Sequence, residues 1–276
     1  MLTFFCVPKP FDDRHIAIIQ KNAILSWKKL RPVCEIILIG DERGVADIAR
    51  EYGVVYVPEI KKNENGTPLV NDAFRIARER SRFPILAYAD CDVILMSDFA
   101  KAVSLVREPM FLMASRRWRL AVNEIINFND PEWETQLHAR VTQEGALHGP
   151  SALDYFVFPR SLDFKMPPFI MGRSGWDNWL VYQTISANIP FIDATPMVTA
   201  IHQNHPPAAI AIRKEECLYN NNLSNYSRMM TLRDADFLLT PTGLKKPPLA
   251  RRIYTKLSRL RFFQLLLFVK RKIQNL

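Results

Sequence analysis

Short, wholly apolar blocks separated by longer stretches of helical period organise the first half of this chain. Residues 2–7 form one such block, stopped at Pro8-Lys9-Pro10, and residues 35–39, 54–57 and 84–95 form three more. A run without polar alternation reads as a strand buried on both faces of a parallel sheet. Between the first two blocks Asp12-Asp13 offers an N-cap. Ile16, Ile19, Ala23 and Leu30 then recur at roughly helical spacing, with Trp27 near the same face. A helix over 45–52 leads through Gly53, and another over about 70–82 follows the polar loop 61–68. Three β-α units thus precede residues 84–95, the alternation of a doubly wound, mostly parallel α/β sheet.

The fourth block carries the first chemistry. Asp90 and Asp92 stand in Ala89-Asp90-Cys91-Asp92, where the apolar run ends. Desolvating two like charges side by side is costly unless a cation or a set of donors offsets it, so the pair points to a divalent metal. Ligands of open α/β sheets bind at the carboxyl ends of the strands, where these side chains fall. The chain holds its own control: Asp234-Ala235-Asp236 has the same spacing, but no buried strand leads into it, and a structural role is expected there.

Later segments add candidates. On the helix over 70–82, Asn71 and Arg78 are the polar residues placed to turn toward a bound diphosphate, the other arginines reading as a solvated face. Ser97-Asp98 caps a helix to about 106, and 110–114 reads as a strand. From 116 to 149 the β-α rhythm is lost among Trp118, Trp133, His138 and His148, which predicts a long irregular insertion belonging to a binding site. Asp154 opens a strand through Pro159. Ser174 and Asp177 fit a capping box opening a helix to about 187, and Asp177 is equally placed to act as a general base. Segments 189–193 and 197–201 are strand-like, the second running into His202-Gln203-Asn204-His205, where either imidazole can complete a site begun by two carboxylates.

Taken in this order, the apolar first strand, two further β-α units, the Asp-x-Asp, Asp154-Tyr155-Phe156-Val157-Phe158-Pro159, Gly175-Trp176-Asp177-Asn178-Trp179 and the late histidines resemble the nucleotide-sugar transferases of the GT-A fold. The likeness spans about Phe4 to His205. It implies that the end of the first strand (Val7, Pro8) and Asp41 hold the nucleobase and ribose, and that Asp90 contacts ribose or metal. Asp92 then binds Mn²⁺ or Mg²⁺, and His202 or His205 reaches the metal or the diphosphate. The chemistry agrees, because a departing nucleoside diphosphate carries concentrated negative charge that a dication stabilises. For an inverting reaction Asp177 is the candidate base, with Asp154 second. A sugar nucleotidylyltransferase, the alternative enzyme class, needs a glycine-rich phosphate loop after the first strand, and Pro8-Lys9-Pro10-Phe11 has no glycine. A non-catalytic sugar-binding protein retaining the fold is the remaining alternative.

Charge changes the picture only at the end of the chain. The net charge of +9 looks like a nucleic-acid footprint, but eight Lys or Arg and no acid lie from Arg251 onward, which leaves +1 for the remainder. No nucleic-acid partner is therefore expected. After Lys245-Lys246-Pro247-Pro248, residues Ile253, Leu257, Leu260, Phe263 and Leu267 form a helical stripe among basic residues. This predicts a transferase domain over 1–246 and a basic amphipathic tail over 247–276 that lies on an anionic membrane, consistent with a saccharide or lipid-linked acceptor; a carboxyl-terminal helix docked on the body is the competing reading. The start of the chain has no basic n-region, and Cys6, Cys34, Cys91 and Cys217 are scattered without metal-ligand spacing. Both features fit a cytoplasmic protein, peripheral at the inner face of the membrane.

Overall fold

The computed structural model describes residues 1–205, 214–224 and 230–258. In chain order the strands and helices are β1 (Leu2–Cys6), α1 (Arg14–Lys29), β2 (Glu35–Ile39), α2 (Val45–Tyr52), β3 (Val55–Val57), α3 (Val70–Arg80), β4 (Ile85–Ala89), β5 (Val93–Ile94), α4 (Ser97–Leu105), β6 (Leu112–Ala114) and β7 (Arg117–Leu120). They continue as α5 (Trp133–Glu144), β8 (Ala146–Leu147), β9 (Tyr155–Pro159), α6 (Trp176–Ser186), β10 (Phe191–Asp193), β11 (Ala200–Gln203), α7 (Lys214–Ser224), β12 (Phe237–Thr240), β13 (Gly243–Lys245) and α8 (Leu249–Ser258).

The strands build a nine-stranded sheet, β13-β12-β10-β6-β9-β4-β1-β2-β3, and a four-stranded one, β5-β11-β7-β8. In the large sheet β9 runs antiparallel to both β4 and β6, and β13 is antiparallel to β12; the other pairs are parallel. All five residues of β1 and of β2 are buried, as the unbroken apolar runs require. Trp27 of α1 stacks on Phe4 with ring centroids 5.0 Å apart, while its indole N–H donates to the Val93 carbonyl oxygen at 3.0 Å. One side chain thus pins α1 to both sheets.

Several sequence expectations are revised. The block 84–95 is not one strand but two, in different sheets, and Asp90-Cys91-Asp92 makes the joint between them. The stretch 116–149 is not irregular: β7, α5 and β8 form half of the small sheet and its cover. Trp133 there is core, packed on Phe128 with centroids 4.9 Å apart. Neither Ser97 nor Asp98 caps α4: Glu134 Oε1 accepts from the Ser97 N–H at 3.0 Å, and Asp98 accepts from the Thr199 backbone N–H at 2.8 Å, joining α4 to the turn before β11. The control pair is structural, as expected: Asp234 closes a capping box with Thr231, and Asp236 accepts from the Phe191 N–H at 3.1 Å.

Candidate active site

The joint between the sheets gathers residues from four parts of the chain. Tyr88, at the end of β4, donates its hydroxyl to Asp90 Oδ1 at 2.6 Å. The Asp90 N–H donates to the Asp154 carbonyl oxygen at 2.8 Å, which brings the residue before β9 beside the Asp-x-Asp. On the far side β11 pairs with β5, His202 opposite Val93, so the register of the small sheet delivers the histidines to Asp92. His205 Nε2 lies 3.1 Å from Asp92 Oδ2, and His202 Nδ1 lies 3.4 Å from Asp92 Oδ1 and 3.0 Å from Asp154 Oδ2. Arg117 of β7, adjacent to β11, donates Nη1 to both oxygens of Asp154.

Two overlapping groups can hold a metal ion here, Asp92 with His202 and His205, and Asp90 with Asp92 and Asp154. Asp92 belongs to both. Its side chain is nearly buried, and Oδ1 makes no well-formed hydrogen bond, the nearest group being His202 Nδ1 at 3.4 Å. A buried carboxylate left under-satisfied between two imidazoles fits a divalent cation, because such a group is otherwise costly to desolvate. A mixed carboxylate and imidazole set suits Mn²⁺ as well as other first-row ions. Asp154 fits less well as a ligand, since the Arg117 guanidinium already spans both of its oxygens.

The electrostatics separate the carboxylates. Burial, followed by the charges of Asp154 and Asp92, pushes Asp90 up to about 8. Burial acts on Asp92 in the same direction, but hydrogen bonds from His202 and His205 outweigh it and hold Asp92 well below the usual carboxylate range. Burial opposes the charged form of His202, yet the hydrogen bonds with Asp154 and Asp92 prevail and raise it to about 9. In the metal-free chain the cluster is therefore a proton-holding network centred on His202.

Asp177 sits in the first turn of α6, but no capping box forms. The N-cap is Gly175 at φ 108°, no side chain caps the helix, and Asp177 Oδ1 accepts from the Gly175 N–H at 3.3 Å. Burial raises the Asp177 carboxyl, and the nearby charge of Asp154 adds to the rise. Its neighbour Trp176 packs edge-on against Tyr88 at 5.0 Å, linking the start of α6 to the residue that holds Asp90.

The remaining candidates divide. Val7 lies beyond β1 against the turn at Gly40, where an added Cβ would stand 3.7 Å from it, and Asp41 follows that turn. Asp41 is paired with Lys62 at 2.5 Å, and that hydrogen bond lowers its pKa. Pro8 is buried beside Val7, and Asn71 in the first turn of α3 has a buried amide oxygen without a hydrogen-bond partner. Arg78 is placed elsewhere. It pairs with Asp163 at 2.7 Å, four residues past the end of β9, where the antiparallel register puts the chain at the amino end of β4, opposite Asp90. On α3 it stands roughly 10 Å along the axis from Asn71. Arg117, Tyr88 and Lys9, whose charge helps hold Asp92 low, carried no spacing signal; only the tertiary structure brings them in.

No protein-family profile matches the sequence, and no curated protein does. Solved structures do. Glucosyl-3-phosphoglycerate synthase of Mycobacterium tuberculosis aligns over 90% of this chain and 87% of its own, with a TM-score of 0.50 and 12% identity. The same synthase in complex with Mn²⁺, UDP and phosphoglyceric acid aligns over 82% and 78%, with a TM-score of 0.48 and 14% identity. Staphylococcus aureus TarS 1–349 in complex with UDP-GlcNAc aligns over 82% of this chain and 66% of its own, with a TM-score of 0.52 and 11% identity. At such identities the likeness concerns architecture, and the architecture is the GT-A fold.

Proposed function

We propose that this chain is a metal-dependent glycosyltransferase that moves a sugar from a nucleoside-diphosphate donor to a hydroxyl acceptor. The observation that carries the reading is the buried Asp92 carboxylate at the carboxyl end of the sheet, with His202 Nδ1 3.4 Å from Oδ1 and His205 Nε2 3.1 Å from Oδ2. The sugar-nucleotide complex of TarS, a protein of the same fold, supports it.

In this reading Asp92, His205 and His202 would hold Mn²⁺ or Mg²⁺, with Asp90 beside them. The ion, when bound, supplies Lewis-acid stabilisation of the departing diphosphate. Tyr88 fixes the Asp90 carboxylate by donating to it, and Arg117 neutralises Asp154 so that His202 keeps its orientation. Val7, Pro8 and Asp41 line the nucleoside side, and the unpaired amide oxygen of Asn71 is available to the donor. Asp177, with its carboxyl raised by burial, takes the proton of the acceptor hydroxyl in an inverting reaction. Asp154 is too firmly held by Arg117 to serve as that base, and Arg78 has no part in diphosphate binding.

The acceptor reading rests on α8. Arg251 donates to Asp193 Oδ2 at 3.0 Å, and Thr255 donates to the Arg233 carbonyl oxygen at 3.1 Å, so a polar face docks the helix. Leu249, Ile253 and Leu257, one turn apart along another face, remain 67%, 51% and 41% exposed beside exposed Arg252 and Lys256. An outward apolar stripe flanked by cations suits the interface of an anionic membrane at the cytoplasmic face, and a saccharide carried on a lipid suits such an enzyme. Leu260, Phe263 and Leu267, the rest of the expected stripe, lie outside the described residues. Asp193 ends β10 opposite Ala114, so α8 docks at the end of the sheet that holds the metal cluster.

The decisive experiment is titration of the full chain with UDP and GDP, with and without Mn²⁺, followed by donor turnover. Metal-dependent nucleotide binding together with sugar release is the expected result. A chain that binds neither nucleotide in the presence of Mn²⁺ would refute the proposal.

A further inference from the structure

Outside the metal cluster, a second buried carboxylate gathers an unusual number of donors. Glu216 lies on α7 and is 3% exposed. Its Oε1 accepts from Asn63 Nδ2 at 2.8 Å, Asn65 Nδ2 at 3.2 Å and Thr67 Oγ1 at 3.2 Å, while Oε2 accepts from Arg173 Nε at 2.9 Å and Nη2 at 2.6 Å. These donors belong to two segments that a short backbone pairing already joins nearby, Met171 N–H donating to the Pro68 carbonyl oxygen at 2.9 Å and Val70 N–H to that of Phe169 at 2.8 Å. Asn63, Asn65 and Thr67 make a tight hairpin between β3 and α3, closed by the Lys62–Pro68 bridge and by Asn63 Oδ1 accepting from the Asn65 and Thr67 N–H groups. Its Lys62 sits on Asp41, at the nucleoside side. Arg173 lies in the segment that enters α6 and delivers Asp177.

Two further polar residues of α7 bear on that second segment. Asn220, one turn after Glu216, accepts from the Ile170 N–H at 2.8 Å and donates to the Ile170 carbonyl oxygen at 3.0 Å. Ser224, another turn on, stands where a Cβ at Gly175 would come within 3.0 Å of its Oγ. Positions four apart share one helix face, so α7 presents a polar stripe in which Glu216 reaches both segments.

We propose that Glu216 is a positioning residue that adds a side-chain tie between the nucleoside-side hairpin and the segment carrying Asp177, fixing residues 63–67 of the hairpin beyond the backbone pairing at its base. This rests on the glycosyltransferase reading above for the identity of the two segments, but not for the tie itself. Glu216 is buried with both oxygens taken by these donors, so it acts through the residues it holds. The hydrogen bonds and the ion pair with Arg173 hold its carboxyl below its ordinary range despite burial, as a permanently charged anchor requires.

The test compares the full chain with Glu216→Ala, Glu216→Gln and Asn220→Ala by amide hydrogen exchange and by titration with UDP and GDP in Mn²⁺. In Glu216→Ala the amides of Asn63, Gly66 and Leu69 lose protection by about tenfold, and nucleotide affinity falls by a similar factor. Asn220→Ala, which removes a neighbouring anchor of the same helix, leaves hairpin exchange and nucleotide affinity unchanged. Glu216→Gln, whose amide offers one acceptor oxygen where the carboxylate offers two, shows a smaller loss of the same kind and decides the matter should the alanine variant fail to fold. Unchanged hairpin exchange in the glutamine variant, or equal losses in Glu216→Ala and Asn220→Ala, would overturn the proposal. If the unsubstituted chain binds no nucleotide, the glycosyltransferase reading falls while hairpin exchange still decides the tie.

Discussion

Asp90 and Asp92 are two residues apart in sequence, yet their surroundings give them opposite tendencies. Asp92 faces two imidazoles and stays ionised; Asp90 faces a tyrosine hydroxyl and two carboxylates and tends to hold a proton. Asp92→Asn should abolish the Mn²⁺-dependent part of nucleotide binding in calorimetry. Asp177→Asn should lower turnover by roughly 10²–10⁴-fold while leaving nucleotide affinity intact, which a KM and kcat comparison will resolve. The histidine gives a pH signature. His202, raised from 6.5 to about 9, binds its proton more tightly in the folded chain, so its contribution to stability is full below 6.5 and is lost as pH rises through about 9. Asp90, raised from 3.8 to about 8, acts with the same sign at lower pH. The melting temperature of the metal-free protein should therefore fall between pH 6.5 and 9. His202→Gln should flatten the upper part of that fall, and added Mn²⁺, competing with these protons, should stabilise most at the alkaline end.

Helices and strands here were legible where their burial is simple. Asp13 caps α1 as its position suggested, accepting from the Ile16 N–H at 2.8 Å, and β1, β2 and β4 coincide with apolar runs because both of their faces are covered. The expected capping box at Ser174 and Asp177 failed because Gly175 takes φ 108° and becomes the N-cap, so that the helix starts at Trp176, two residues beyond Ser174. At that φ a side chain is strained, and a Cβ would also meet Ser224 Oγ at 3.0 Å. Gly175→Ala should thus cost about 1–3 kcal/mol in denaturant unfolding and loosen the start of α6. Trp27 offers the contrasting case of a residue read as core and found there. Trp27→Ala should cost about 3–5 kcal/mol, since it removes both the stack on Phe4 and the tie to Val93.

For the molecule as a whole, the small sheet is what converts an open α/β layer into a site. It carries β5 out of the Asp-x-Asp, receives β11 with its histidines and supplies Arg117, none of which adjoin Asp90 in sequence except β5. At the same end of the fold, α8 docks by its polar face and turns its apolar stripe outward. The full chain should float with vesicles containing anionic lipid, and a chain ending at Pro248 should remain in the aqueous fraction; equal partitioning of the two would remove the membrane from the proposal. By itself the sequence determined the β-α alternation, the buried strands and the carboxylates at the end of the fourth, because burial period is a local property of a chain. It could not determine that 116–149 pairs into a second sheet, that Arg78 points to Asp163 at the far end of β4, or that Arg117 and Glu216 sit at the centre of two polar networks. Those outcomes depend on which distant segments meet, and a long-range partner leaves no spacing in the sequence from which to read it.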